Sequence, residues 1–268
     1  MTAAMLDIRI DRKVFISPYG GGERLVIEGL HLTVPVGQFL CVVGPSGCGK
    51  TTLMNIVARL DRDAEGQVRF INGAGNPRDP GRVGYMFQTP RLVPWLNVRD
   101  NVRVVLDAGV ASDGRAESLL EAMALGDSLD QFPNRLSGGM QRRVALARAF
   151  VTEPELMLLD EPFVSLDAPV ANRLRSILLD LWAARPTTVL FVTHDLREAI
   201  FLADRIAFLS RGPSRVILDE MVPLARPRDS DDPAIERFRQ ELLSRHATLL
   251  HGIASDATSA EAVINGNE

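Results

Sequence analysis

One glycine-rich segment of this sequence has the residue types and spacing that bind a phosphate chain. Residues 44–51 read GPSGCGKT. Its glycines let backbone N–H groups turn inward around an anion, and a helix starting near Lys50 directs its positive dipole end to the same point. Lys50 is placed to reach β and γ phosphates, and the Thr51 hydroxyl to ligate Mg²⁺. The residues predicted to bind the nucleotide here are Gly44, Pro45, Ser46, Gly47, Cys48, Gly49, Lys50, Thr51 and Thr52.

Two acidic residues follow an apolar run in the second half of the chain. Residues 156–162 read LMLLDEP, so Asp160 and Glu161 stand where a buried strand ends. In a parallel sheet, the carboxyl ends of the strands face the nucleotide crevice. Asp160 suits Mg²⁺, held directly or through water, and Glu161 suits the orientation and deprotonation of an attacking water.

A histidine and a glutamine follow two other strand-like runs. His194 comes after TVLFVT at 188–193, and Gln88 ends VGYMFQ at 83–88. At the same sheet edge, the His194 ring is placed to hydrogen-bond a γ phosphate and the water-orienting acid. The Gln88 side chain is placed to touch both water and Mg²⁺. The other histidines, His31, His246 and His251, are expected to be structural.

A second anion-binding pattern lies in LSGGMQ at 136–141. Ser137 is a candidate N-cap, Gly138 and Gly139 leave backbone N–H groups open, and Gln141 follows in the helix that begins there. This pattern has no lysine-bearing loop or acid pair of its own. One phosphate loop and one separate helix start suggest that a second copy of the chain completes each site, head to tail.

Three nearly continuous apolar runs must position these residues. QFLCVV at 38–43, LMLL at 156–159 and TVLFVT at 188–193 are typical of strands buried on both faces. A helical pattern, ANRLRSILLDLW at 171–182, separates the last two. Strand, helix and strand in alternation predict a parallel α/β core.

The flanking segments carry weaker patterns. Residues 8–27 are predicted to be β-structure with a turn, and GQVRFING at 66–73 ends in a hairpin-turn dipeptide. Residues 91–151 show helical spacing and predict a helical subdomain. An amphipathic helix is expected over 235–250, and the low-complexity end at 255–268 is predicted to be disordered.

Composition limits the functional classes. The chain has 268 residues, 30 Lys+Arg, 34 Asp+Glu and two cysteines. The mildly acidic balance gives no global field for nucleic acid, so no nucleic-acid partner is expected. Two cysteines cannot form a disulfide framework, which favours a reducing cytoplasm. We find no signal-peptide pattern and no apolar run long enough to span a bilayer, so a membrane role requires a partner.

The ordered motifs resemble the nucleotide-binding subunit of an ABC transporter over residues from about 6 to 220. They are GPSGCGKT, Gln88, LSGGMQ, LMLLDEP, SLD at 165–167 and His194. The resemblance implies an α/β fold: a P-loop NTPase (RecA-like) parallel-sheet core, an antiparallel β subdomain and an α-helical ABC subdomain at about 91–151. Residues 1–228 would form the ATP-binding domain, and 229–268 a C-terminal helix and disordered tail.

The resemblance also implies an ATPase that uses ATP and Mg²⁺ in a sandwich dimer. Ser137 and Gly139 of one copy would contact the γ phosphate held by Lys50 of the other, and Asp167 would bridge the copies. Gly138, Gln141 and Asp167 would also belong to the nucleotide-binding residues. An aromatic residue ahead of the phosphate loop would stack on adenine. Phe15 fits that position best by spacing, and Tyr19 is the alternative.

Two further segments resemble bacterial importers of nitrate, sulfonates, taurine and similar small solutes. They are QTPRLVPWLNVRDNV at 88–102 and PLARPRD at 223–229. The region of Trp95 would form a groove that receives a coupling helix from a transmembrane permease, unless Leu92, Val93 and Trp95 merely pack the helical subdomain. An extracytoplasmic solute-binding protein would be an indirect partner, and the subunit would lie on the cytoplasmic face of the inner membrane.

Three residues depart from the family pattern, and two rival functions stay open. Arg59 stands where glycine is usual after the phosphate-loop helix, and Val164 and Ser165 differ before Asp167. One rival is a soluble ABC ATPase acting on DNA, ribosomes or iron–sulfur assembly. The other is an ABC importer of sugars or polyamines, which commonly carries an additional C-terminal domain.

Overall fold

Buried apolar strands form the centre of the molecule. The structure is a computed structural model that describes residues 5–16, 22–72, 74–79, 81–107, 113–164, 166–185 and 187–253. The strands are β1 (Met5–Ile16), β2 (Glu23–Pro35), β3 (Phe39–Val43), β4 (Glu65–Ile71), β5 (Pro77–Arg78), β6 (Val83–Met86), β7 (Leu156–Asp160), β8 (Thr188–Thr193), β9 (Arg205–Leu209) and β10 (Val216–Met221). The helices are α1 (Lys50–Val57), α2 (Val98–Arg103), α3 (Arg115–Ala122), α4 (Gly138–Phe150), α5 (Ala168–Ala184), α6 (Leu196–Leu202) and α7 (Pro233–Arg245).

Six of these strands form the central sheet in the order β10-β9-β3-β8-β7-β6. All neighbouring pairs are parallel except β9 and the edge strand β10. The sheet is covered on both faces, and successive side chains of each strand enter opposite cores. In β3, for example, Phe39 and Cys41 join a core with the helices α2 to α7, whereas Leu40 and Val42 join a core with α1 and the second sheet.

The second sheet is antiparallel, in the order β2-β1-β4-β5. Along β1 the buried residues are at first the even-numbered ones, of which Ile10 is the last. After Ile10 the next buried residue is Lys13, at an odd-numbered position. The change occurs at a bulge, because Ile10 pairs with Gly66 while Arg12 pairs with Glu65, so Asp11 is an additional residue. Gly66 has φ +125, and a Cβ there would lie 2.2 Å from the Arg9 carbonyl oxygen.

The predicted fold class is confirmed, and several element boundaries shift. The turn after β4 is longer than a two-residue hairpin, since the Asn72 side chain accepts hydrogen bonds from the N–H groups of Ala74 and Asn76. Helices α2, α3 and α4 lie in the segment predicted to be helical. The first of them begins at Val98, capped by Asn97.

The C-terminal helix packs on the main core through Ile235, Phe238 and Leu242. It ends at Arg245, earlier than the predicted residue 250, because His246 leaves helical geometry and Leu249 reaches the core from a short 3₁₀ turn. The domain boundary after residue 228 stays a prediction. The predicted tail at 255–268 and the turn containing Tyr19 lie outside the described residues.

Candidate functional site

Four neighbouring parallel strands deliver the predicted residues to one edge of the central sheet. Val43 of β3 pairs with Thr193 of β8, and Asp160 of β7 pairs with Val192, so the carboxyl ends of these strands are level. The phosphate loop follows β3, His194 follows β8, Glu161 follows β7, and Gln88 follows β6. The strand order therefore gathers side chains that are far apart in sequence.

The phosphate loop, Gln88 and Glu161 meet around a cavity of about 350 Å³, which we call the phosphate cavity. His194 does not line it; His194 lines a neighbouring cavity, and Glu161 lines both. The walls of the phosphate cavity come from the phosphate loop and α1, from β1 and β2, and from the ends of β6 and β7. Its lining residues are Phe15, Arg24, Val26, Ser46, Gly47, Gly49, Lys50, Thr51, Thr52, Gln88 and Glu161.

The phosphate loop wraps the buried end of Lys50. The Lys50 ammonium donates to the carbonyl oxygens of Gly44 at 2.8 Å and Pro45 at 3.1 Å, and lies 3.6 Å from Glu161 Oε1. Gly49, the residue before α1, has φ +111, and a Cβ there would lie 2.9 Å from a Val26 methyl. Only glycine fits this turn, which brings α1 N-terminal amides and a cation to one point.

Asp160 is a buried carboxylate beside the first turn of α1. Burial raises its pKa, and a hydrogen bond from the Thr51 hydroxyl opposes that shift. A hydroxyl and a carboxylate oxygen held together are ligands that suit Mg²⁺, which proteins usually bind through one or two carboxylates. The residues present therefore fit Mg²⁺.

Glu161 has a backbone conformation that residues other than glycine rarely adopt, with φ +44. Its N–H donates to the Val192 carbonyl at 3.0 Å, which holds the turn against β8. Its Oε2 lies 3.4 Å from Nδ1 of His194, whose side chain is 56% exposed. Strain of this kind persists where surrounding contacts impose it, and here it keeps the carboxylate between Lys50 and the imidazole.

The second anion pattern lies at the start of α4, as expected, but outside this cavity. Ser137 caps α4 by accepting from the Met140 N–H at 3.3 Å. Ser137, Gly138 and Gly139 are absent from the cavity's lining residues. Gln141 instead donates to the carbonyls of Pro133 and Leu136, which fixes the preceding loop.

Asp167, also predicted to bind the nucleotide, is absent from the cavity lining as well. It caps α5 by accepting from the Val170 N–H at 2.9 Å. That helix start packs beside the glycine pair of α4, because a Cβ on Gly139 would lie 2.9 Å from a Val170 methyl.

Comparisons with known proteins identify the family. The ABC transporter family profile matches residues 27–164. The aliphatic sulfonates import ATP-binding protein SsuB 2 of Burkholderia cenocepacia is 43% identical, over 89% of this chain and 86% of that protein. The chain belongs to the ABC transporter family. The resemblance found in the motifs is thereby confirmed.

Two other relatives and one solved structure support the same family assignment. The aliphatic sulfonates import ATP-binding protein SsuB of Bacillus subtilis is 40% identical over 88% of this chain and 92% of its own. The bicarbonate transport ATP-binding protein CmpD of Synechocystis is 39% identical over 90% and 89%. A dimeric post-hydrolysis ATP-binding cassette bound to ADP and Pi superposes with a TM-score of 0.69 and 25% identity, over 82% of this chain and 100% of its own.

Two residues of the site, Arg142 and Arg24, were not predicted from the sequence. Arg142 of α4 donates to the carbonyls of both Gln88 and Pro162, each at 3.0 Å. Arg24 of β2 lines the phosphate cavity. A basic residue on a helix or strand carries no local signal of such a contact, so only their charge could have drawn attention to them.

None of the helices in the described residues has the length and hydropathy that a membrane span requires.

Proposed function

We propose that this cassette is the ATP-hydrolysing, energy-coupling subunit of a bacterial ABC importer, with small anions such as sulfonates, nitrate or bicarbonate as the solute class. The observation that carries the proposal is the convergence of Lys50, Thr51, Gln88 and Glu161 on one cavity. Relatives whose names specify sulfonate and bicarbonate transport support the solute class.

The chemistry we propose is in-line attack of water on the γ phosphate, with cleavage of the bond between the γ phosphorus and the bridging oxygen, which leaves with ADP. The chain supplies position and charge. Lys50 and the backbone N–H groups of the phosphate loop hold the phosphates of ATP. Glu161 orients the water and accepts its proton, and Gln88 and His194 fix the geometry around it. When bound through Thr51, Gln88 and Asp160, Mg²⁺ would supply neutralisation of phosphate charge.

The site is proposed to be completed by a second copy. The open helix start at Ser137, Gly138 and Gly139 is separate from the phosphate cavity of its own chain. Head-to-tail pairing would set that helix start against the γ phosphate held by the partner's phosphate loop, with Asp167 near the junction. The dimeric state of the solved relatives supports this arrangement. ATP would then close the dimer and hydrolysis reopen it.

Adenine would stack on Phe15, a residue that is 46% exposed and lines the phosphate cavity. The alternative, Tyr19, lies outside the described residues.

The membrane permease would dock on the helical subdomain. Leu92 packs against the core, but Trp95 is 77% exposed, and Val104, Val105 and Phe132 are exposed as well. A group of exposed apolar side chains is typical of a surface that binds another protein. This contact would hold the subunit at the cytoplasmic face of the inner membrane, and the permease would link it to an extracytoplasmic solute-binding protein.

The test is co-purification of the tagged chain from membranes of its own host in mild detergent. We expect a multi-span protein in equal amount, identified by mass spectrometry, and ATP hydrolysis by the complex. A Trp95→Glu chain serves as the control and should lose that protein while it still binds ATP. Recovery of the wild-type chain alone, or with ribosomes or DNA, would contradict the importer proposal and favour a soluble ABC ATPase.

A further inference from the structure

A buried lysine lies beneath the aromatic ring at the edge of the phosphate cavity. Lys13 is 3% exposed, and its Nζ lies 2.7 Å from Oδ1 of Asp61. The same Nζ lies 4.7 Å from the centroid of the Phe15 ring, within the range of a cation–π contact. An ammonium this deeply buried requires a counter-charge, and Asp61 provides it.

The bulge in β1 directs this lysine inward. Before the bulge, Ile8 and Ile10 face the core and Arg9 faces solvent. The additional residue, Asp11, reverses that alternation, so Lys13 becomes buried where an uninterrupted strand would expose it. Phe15, two residues further along the strand, lies on the same side as Lys13.

Asp61 ties this strand to the phosphate-binding helix. Asp61 lies just beyond the end of α1, and its N–H donates to the carbonyl of Asn55 in that helix at 3.1 Å. Helix α1 begins at Lys50 with residues that line the phosphate cavity. The Lys13–Asp61 pair therefore connects the segment that carries Phe15 to the helix that carries the phosphate site.

Two cavities border Phe15, and the Lys13–Asp61 pair lines a different one from the phosphate loop. Lys13 and Asp61 line a second cavity of about 670 Å³ and are absent from the lining of the phosphate cavity. Phe15 lines both. Phe15 therefore stands at the boundary between the two cavities, with the Lys13 ammonium against its ring.

We propose that Lys13 and Asp61 are positioning residues for base recognition: they set the orientation of the Phe15 ring and its distance from the phosphate loop. This inference rests on the proposed nucleotide function and deepens it. The ligand group concerned is a purine base stacked on the free face of Phe15. The phosphates are bound independently, by the loop at 44–52.

The experiment compares binding of ADP and of inorganic pyrophosphate to the full-length chain by calorimetry with Mg²⁺. Pyrophosphate carries the two phosphates of ADP but no base. Lys13→Met should weaken ADP binding about tenfold, the effect of losing one contact of this class, and leave pyrophosphate binding within about twofold. Arg9→Met removes an exposed cation from the same strand and should change neither.

Two further variants separate positioning from a general effect on the fold. In a Phe15→Leu chain, Lys13→Met should weaken ADP binding no further, because the ring it positions is gone. In the double variant Lys13→Met, Asp61→Leu, the carboxylate that Lys13→Met leaves without its cation is removed as well, and ADP binding should stay weakened. This variant also serves as the test if Lys13→Met alone does not fold.

Three results would overturn the inference: unchanged ADP binding by Lys13→Met, equal weakening of ADP and pyrophosphate, or recovery of ADP binding in the double variant. Failure of the wild-type chain to bind ADP would instead overturn the proposed function.

Discussion

At the scale of single residues, Asp160 shows a conflict between stability and function. Burial raises its pKa above the ordinary value of 3.8. At a pH above the raised pKa, the folded chain must keep a buried charge that is better solvated after unfolding, so ionisation of Asp160 lowers the free energy of unfolding. That cost disappears as the pH falls through the raised pKa toward the ordinary one.

We therefore expect Asp160→Asn to be more stable than the wild type at pH 8 and to lose this advantage progressively at lower pH. Urea unfolding of both chains at a series of pH values measures the difference. The same variant should hydrolyse ATP at least about a hundredfold more slowly, because a carboxylate expected to hold Mg²⁺ is absent. An Asp160→Asn chain less stable than the wild type at pH 8 would contradict this account.

Arg59 occupies the residue after the C-cap of α1 with φ +58, a conformation that favours glycine. The conformation accounts for the glycine that the family resemblance leads one to expect there, and nothing in the structure explains the arginine. Arg59→Gly should raise the free energy of unfolding by about 1 kcal/mol relative to Arg59→Ala, which keeps the strained φ. Both variants lose the same exposed ion pair with Asp79, so it cancels in the comparison. Equal urea midpoints for the two variants would show that the conformation carries no strain.

At the scale of elements, α4 is linked to the ends of two strands through one guanidinium. Arg142 holds the backbone after β6 at Gln88 and the backbone after β7 at Pro162. Arg148, further along α4, holds the Pro90 carbonyl at 2.8 Å. A displacement of α4 would therefore move Gln88 and the segment after Glu161 together.

Arg142→Met should lower kcat for ATP hydrolysis by about tenfold to a hundredfold and leave the Kd for ATP unchanged, because the phosphate loop is untouched. The matched control is Arg143→Met. Arg143, also on α4, donates to the carbonyls of Met123 and Ala124, just after α3. A loss of kcat of the same size in both variants would indicate a general effect of removing a half-buried arginine from α4.

At the scale of the whole molecule, each site should contain residues from two chains. Lys50→Ala damages the phosphate loop, and Gly138→Asp sets a carboxylate at the helix start of α4, where an added Cβ meets no atom within 4 Å. Each variant alone should be inactive. In a mixed dimer one site carries both defects and the other carries none.

Mixing the two inactive chains should therefore restore ATP hydrolysis to a substantial fraction of the wild-type rate. The measurement is hydrolysis against mixing ratio, which should be greatest near equal amounts. A matched mixture of Lys50→Ala with Glu161→Gln must stay inactive, because both residues lie on the same side of one site and each site in that dimer is defective. Absence of restoration in the first mixture would contradict the head-to-tail arrangement.

Local patterns in the sequence determined much of the fold and the residues of the candidate site. Apolar runs predict strands buried on both faces because each side chain needs an apolar neighbour whichever sheet face it enters. The glycine spacing of residues 44–49 predicts the phosphate loop because only glycine allows the turn at Gly49. The placement of Glu161 after β7 and of His194 after β8 follows from the rule that parallel strands end at a common edge.

Only the tertiary structure decided which distant residues support those side chains. Arg142 contacts Gln88 across 54 positions of sequence, and Lys13 contacts Asp61 across 48. No local spacing encodes such pairs, because they depend on how helices and sheets pack and on one bulge in β1. The sequence by itself determined the chemistry at the sheet edge; packing determined its geometry, since the contacts that orient each side chain come from elements that meet only in the folded chain.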